Sequence, residues 1–138
     1  MKKLFSSRIS IGATNFALFV LRLGTGILMI PHGYSKLVNY GTMKLQFMPF
    51  MGLSGAVSLG LVIFAEFFCS LLLMVGFATR LAAIPLIIDM TVAITMAHKG
   101  DIFGQGQAAM LFLIPFFILL FTGPGKYSID SLIVKQRR

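Results

Sequence analysis

LSGAVSLGLVIFAEFFCSLLLMV, residues 53–75, is a run of 23 residues in which Glu66 is the one charged side chain. An α-helix rises 1.5 Å per residue, so a run of this length crosses a hydrocarbon core of about 30 Å. A helix without a polar face has nothing to present to water, and the stretch reads as membrane-spanning. Three further runs follow the same pattern. Ala13 to Pro31 carries only Arg22, Leu81 to Ala97 only Asp89, and Gly104 to Thr122 no charge at all. Pro115 in the last is read as a kink, because neighbouring helices in lipid re-satisfy the carbonyl that a proline frees.

The remaining composition agrees. Of the 138 residues 57% are apolar and 12% charged, with a mean hydropathy of +0.91. Soluble domains average about 25% charged residues. Four spans use most of the chain and leave no room for a separate soluble catalytic domain. The expected fold is all-α, an integral membrane antiparallel four-helix bundle forming a single domain over 1–138, with the lipid bilayer as its first partner.

Twelve Lys and Arg against four Asp and Glu give a net charge of +8. In a soluble chain this would suggest a nucleic-acid partner. Here the basic residues sit at the ends of apolar runs and are not interleaved with aromatics on one surface, so no nucleic acid is expected. Lys2, Lys3, Arg8, Arg80, Lys126, Lys135, Arg137 and Arg138 fall on one side of the bundle, and Lys36, Lys44 and Lys99 on the other. The excess places both termini in the cytoplasm and the long loop His32 to Gly52 outside. Met1 to Ser7 imitates a secretory leader. The apolar stretch after it is long, carries Arg22 and shows no clear cleavage site, so the segment is read as retained. Gly123-Pro124-Gly125 ends the fourth span, Lys126 and Tyr127 anchor at the interface, and Ser128 caps a short amphipathic cytoplasmic segment within 126–138, with Asp130 in its first turn.

Counted from the cytoplasmic ends of their spans, Arg22, Glu66 and Asp89 lie at roughly 12–14 Å, near mid-membrane. Each shares a helix face with small or polar residues: Arg22 with Thr25 and Gly26, Glu66 with Gly55, Cys69 and Ser70, Asp89 with Ala82, Pro85 and Ala93. Three isolated charges there would cost roughly 8–10 kcal/mol, so mutual pairing is expected. One guanidinium cannot neutralise two carboxylates, which leaves one shared, mobile proton. Two roles stand for this cluster: a structural ion-pair network, or catalytic proton handling.

At the outer ends of the spans, His32 and Lys36 close the first and His98 the third. Imidazoles exchange protons near neutral pH and hydrogen-bond carbonyls, and Lys36 can stabilise an oxyanion, so the three are candidates for holding a quinone. Tyr34, Phe47, Phe50 and Phe103 are expected to wall the head-group. The alternative is that these residues are solvated or reach for phosphates. Only Asp101 stands near the histidines as a further ligand, and haem ligands belong within the bundle, so no metal or haem is expected. A lone Cys69 gives no disulfide, Cys-x-x-Cys pair or thiol metal cage. Redox chemistry then requires a bound cofactor or a partner.

Leu21-Arg22-Leu23, His32-Gly33, Lys36-Leu37, Glu66, Gly76-Phe77-Ala78-Thr79-Arg80-Leu81-Ala82-Ala83, Asp89-Met90, Ala93, His98 and the closing Gly123-Pro124-Gly125-Lys126-Tyr127-Ser128-Ile129-Asp130 together resemble the DoxX family of small bacterial membrane proteins. The likeness covers about residues 16 to 132. It implies a four-helix bundle in the bacterial inner membrane, related to the small subunit of thiosulfate:quinone oxidoreductases and to partners in membrane redox or thiol-stress complexes. It assigns no activity to most members. Many relatives carry an acidic residue in an aromatic-rich turn before the fourth helix, where this chain has Gly104-Gln105-Gly106-Gln107.

Two functions are carried forward. The first is a component of a quinone-linked oxidoreductase, with His32, Lys36 and His98 holding the quinone and Arg22, Glu66 and Asp89 moving protons. The second is a non-catalytic scaffold that docks a redox partner protein. A transporter would need a homo-oligomer to complete a pathway, since no inverted repeat is evident. In a background with Cys69→Ser, cysteines placed at Lys44 and at Arg138 should label from opposite sides of the membrane. Labelling from the same side would remove this topology.

Overall fold

A computed structural model describes residues 9–136. The leader-like Met1 to Ser7 and the cations Lys2, Lys3, Arg8, Arg137 and Arg138 lie outside the described residues. Six helices follow in order: α1 (Ile11–Val38), α2 (Tyr40–Met43), α3 (Gly55–Val75), α4 (Thr79–Ala97), α5 (Gln107–Thr122) and α6 (Ile129–Gln136). No strand occurs among the described residues. Helices α1, α3 and α4 are long and apolar enough to cross a membrane, and α5 is a shorter apolar helix of 16 residues. The four pack as a bundle, α1 along α3 and α4 along α5.

The helix of the fourth span, α5, begins at Gln107 and not at Gly104, and the largest difference from the sequence reading is in the first span. α1 does not stop at Pro31 but runs on to Val38, so His32, Gly33 and Lys36 are helical residues. Proline deletes one amide donor, and that loss is tolerated when the freed carbonyl finds other partners. Lys36, counted above as an outer-loop cation, is therefore part of the bundle.

Glycines set how closely α1 approaches α3. A methyl group at Gly33 would come within 2.5 Å of the Phe67 backbone nitrogen, and one at Gly26 within 2.9 Å of Met74 Cβ. Gly26, Met29 and Gly33 are buried on one stripe with Arg22 and Thr25. Small residues that let backbones meet are the usual glue between helices in lipid, where water supplies no hydrophobic drive. The core continues through Leu73, Leu86, Met90, Phe116 and Leu119. Outside it, Ile27, Leu28, Ile84, Leu111, Ile114 and Phe121 are exposed in a band that suits acyl chains.

Two stretches wind more loosely than an α-helix: Phe64–Cys69 in α3 and Ala93–Ala97 in α4 are π-helical. Such turns shift the register of everything beyond them and concentrate at functional sites.

The ends are capped as their sequences direct. Ser10 and Ser54 accept from the amides of Ala13 and Val57 at 3.4 and 3.3 Å. Gly76, at φ +75°, ends α3 in the left-handed region, with its own amide and that of Phe77 returning to the Leu72 carbonyl. Ala78, at φ +47°, offers no side-chain oxygen to start α4. Asp130 supplies it from the far end of the chain, accepting from Ala78 and Thr79 amides at 2.7 and 3.0 Å. Ser128 caps α6 as expected, accepting from the Ser131 amide. The Lys126 amide donates to Asn15 Oδ1 at 2.8 Å, so both ends of the described chain meet at one end of the bundle.

Gly33→Ala should lower stability by about 1–3 kcal/mol through overpacking. At Gly24 nothing lies within 4 Å of an added methyl group. Gly24→Ala should leave stability unchanged or raise it by about 0.5–1 kcal/mol. Asp130→Ala should cost about 1–2 kcal/mol as a lost cap. Thermal unfolding of the three variants in one detergent checks the order.

Candidate functional site

Carrying α1 past Pro31 brings Lys36 to Glu66. Lys36 Nζ lies 2.5 Å from Glu66 Oε2, and this is the only ion pair among the described residues. The pair sits where Gly33 lets α1 touch the π turn of α3, with the lysine side chain 23% and the glutamate 8% exposed. Asp89 on α4 lies beside Glu66 and feels the charges of both Glu66 and Lys36.

These three groups form one wall of a cavity of about 630 Å³. His32 and Met29 line it from α1, Ser58 and Leu61 from α3, Ile88 and His98 from α4, and Ala109 and Phe112 from α5. The segment Phe47 to Phe50 covers it. That segment is fastened, because the Phe50 amide donates to Ser58 Oγ at 2.9 Å, and Gly55 leaves room for the carbonyls of Lys44 and Phe47. Binding sites of about 300–1,000 Å³ are typically apolar with a few converging polar groups, as here. Two of those groups are unused: Asp89 Oδ2 and His98 Nδ1 are buried without a hydrogen-bond partner.

Arg22 is elsewhere, and the expected Arg22, Glu66 and Asp89 cluster is not formed. Arg22 is 1% exposed, and its Nη2 donates to the Tyr127 carbonyl at 2.6 Å, at the end of the bundle where the termini meet. Its guanidinium lies over the Phe19 ring and against Gly76, where a methyl group would fall 1.8 Å from Nη1. The acid whose charge acts on it is Asp130. The depth count misplaced it because α1 is longer at both ends than the run Ala13 to Pro31, and because a long side chain travels well away from its own Cα.

The other sequence-predicted residues divide cleanly. His32, Lys36, Glu66, Asp89 and His98 line one cavity, so the two acids and the three residues expected at the outer mouth come together. Phe47 and Phe50 belong to its wall, whereas Tyr34 and Phe103 are exposed and do not. Asp101 turns away to accept from the amides of Gly104 and Gln105. The sequence reading missed the Lys36–Glu66 pair and the Asp130 cap. A signal existed for both: Met29, Gly33 and Lys36 share a helix face once Pro31 is read through, and Gly76-Phe77-Ala78 lacks any local capping oxygen.

Removing Lys36 leaves buried acid without its counter-charge, so Lys36→Met should cost about 3 kcal/mol, and Glu66→Gln in that background should recover most of the loss. Arg22→Met should be destabilising too, yet Glu66→Gln with Asp89→Asn should not rescue it. Rescue of Arg22→Met by the neutralised acids would restore the three-residue cluster.

Comparison with known proteins agrees with this architecture. The chain is 33% identical over 123 residues to the inner membrane protein YqjF of Escherichia coli strain K12, covering 85% of this chain and 92% of that protein. It is 28% identical over 131 residues to an uncharacterised protein of Haemophilus influenzae, covering 88% and 93% of the two chains. An uncharacterised membrane protein of Mycobacterium tuberculosis is 32% identical over 85 residues, covering 51% of this chain and 52% of that protein. No solved structure matches. The DoxX family model matches residues 17–99, the stretch from α1 to just past α4 that carries all five ionisable residues lining the cavity, and the chain belongs to the DoxX family of membrane proteins.

Proposed function

We propose that this protein is the quinone-binding membrane component of an oxidoreductase in the bacterial inner membrane. The observation that carries the reading is the cavity: apolar walls, a lysine, two carboxyls and two imidazoles, with Asp89 Oδ2 and His98 Nδ1 still free to hydrogen-bond. Those residues fit a quinone, whose head-group is flat and apolar with carbonyl oxygens as its polar handles. A bound quinone would supply the redox chemistry, taking two electrons from a partner redox protein and two protons to become a quinol.

The chain's own residues then bind and protonate. His98 and His32 are the imidazoles available to a carbonyl, and the Lys36 ammonium, paired with Glu66, puts positive charge on the cavity wall. Two carboxyls beside one ammonium are neutral as a set only with one proton on the set, and such a proton would lie at the cavity wall. Arg22 takes no part in this, since it is committed to the opposite end of the bundle. Counted along the sequence, more lysines and arginines adjoin the start of α1, the Gly76 turn and the close of the chain than adjoin the other ends of the spans, which supports placing that end in the cytoplasm and the cavity toward the outer leaflet.

Titrating the purified protein with ubiquinone or menaquinone should raise its stability by about 2.7 kcal/mol when the ligand is at 100 times its dissociation constant. Asp89→Asn combined with His98→Gln should weaken that binding at least tenfold. Absence of any stabilisation with either quinone overturns the reading and leaves a scaffold that docks a partner.

A further inference from the structure

The cavity is not enclosed by helices on every side. α3 and α4 pack together near their connecting turn, where Phe64–Val75 meets Thr79–Val92. Toward the other end of the bundle, Gly55–Ile63 makes no comparable packing with Ala93–Ala97. The two helices diverge there, and the cavity fills the gap. Several of its lining residues are at the same time outer surface: Leu61 and Phe64 are each 50% exposed, Ile88 51% and Met96 40%. They belong to membrane-crossing helices, so the surface they share faces acyl chains and not water.

The route along the membrane normal is different. Phe47 to Phe50 covers that side, fastened by Ser58 and by the close approach of the Lys44 and Phe47 carbonyls to Gly55. An occupant with an apolar tail would have to leave lipid to enter past this cover, whereas between α3 and α4 its tail stays in acyl surroundings throughout. The polar groups are arranged to match. Glu66 and Asp89 lie on the cavity's inner wall, while Leu61, Ile88 and Met96 mark its lipid edge.

We propose that the gap between α3 and α4 is a lateral portal, through which the apolar tail of a bilayer-dissolved amphiphile passes while its hydrogen-bonding headgroup rests against Glu66, Asp89 and His98. The headgroup's identity rests on the quinone reading; the portal rests on the divergence of the two helices and on the lipid-facing residues that line it.

The chain contains no tryptophan, so a single introduced indole reports alone. Val92→Trp and Val62→Trp place it on the α4 and α3 walls of the cavity. Leu111→Trp, on the exposed face of α5, gives full lipid contact, and Phe116→Trp, in the core, gives none. In phosphatidylcholine vesicles with brominated acyl chains, Val92→Trp should lose at least half as much fluorescence as Leu111→Trp, while aqueous iodide leaves it unchanged. Val62→Trp should repeat the result from the opposite wall, which covers the failure of either variant to fold. Lipid quenching no greater than that of Phe116→Trp, or quenching by iodide, overturns the portal. The two readings separate: a lipid-quenched indole without quinone stabilisation keeps the portal and removes the quinone, and an iodide-quenched indole with stabilisation does the reverse.

Discussion

A charge inside hydrocarbon must find a partner or lose its charge, and the pairing of Lys36 with Glu66 is the form that constraint takes here. To deliver the lysine, α1 has to continue as a helix past Pro31, and to bring the two backbones close enough, Gly33 has to be without a side chain. The π turn at Phe64–Cys69 lies at this contact, with Glu66 in it. A looser turn makes room for an extra residue without breaking the helix, and it breaks the strict 100° spacing that would otherwise fix where Glu66 points. Helix length, glycine position and helix winding thus answer to one ion pair.

The bundle uses its buried charges in two unlike ways. At the end where the termini meet, the hydrogen bonds of Arg22 and Asp130 go to backbone: Arg22 Nη2 to the Tyr127 carbonyl, with Nε and Nη1 buried and unpartnered, and Asp130 to the first amides of α4. The Asp130 amide also donates to the Gly76 carbonyl, so the turn between α3 and α4 is gripped from both sides by the closing segment of the chain. At the cavity the charges meet other side chains instead. Lys36 and Glu66 satisfy each other, while Asp89 Oδ2 and His98 Nδ1 are left open toward the cavity.

How much of this was legible in the sequence follows from the range of the interactions involved. The spans were readable because hydropathy is a local sum and lipid imposes one length on every crossing helix. So was the cap at Ser128, since its partner Ser131 is three residues away. His32, Lys36, Glu66, Asp89 and His98 were each found as ionisable residues in or at the ends of apolar runs, but their grouping was not. It depended on Pro31 being passed and not obeyed, and on π turns that no periodicity announces. The assignment of Arg22 to the acids failed for a related reason: equal depth along helix axes says nothing about where a seven-atom side chain ends. The bare start of α4 at Gly76-Phe77-Ala78 called for an acceptor, but not for Asp130 in particular, which stands 51 and 52 residues from the amides it caps.

The two ends are mechanically connected. Because Asp130 bonds Gly76, Ala78 and Thr79, α3 and α4 are joined where the chain passes between them, and they stand apart toward the far end. There α3 begins at Ser54, tied by its own cap, and α4 finishes in the π turn Ala93–Ala97. A pair of helices packed together at one end and apart at the other leaves a space between them, lined by apolar residues and by the two acids. The structural charges therefore shape the cavity without lining it, which explains why a buried arginine so far from the carboxyls belongs to the same architecture.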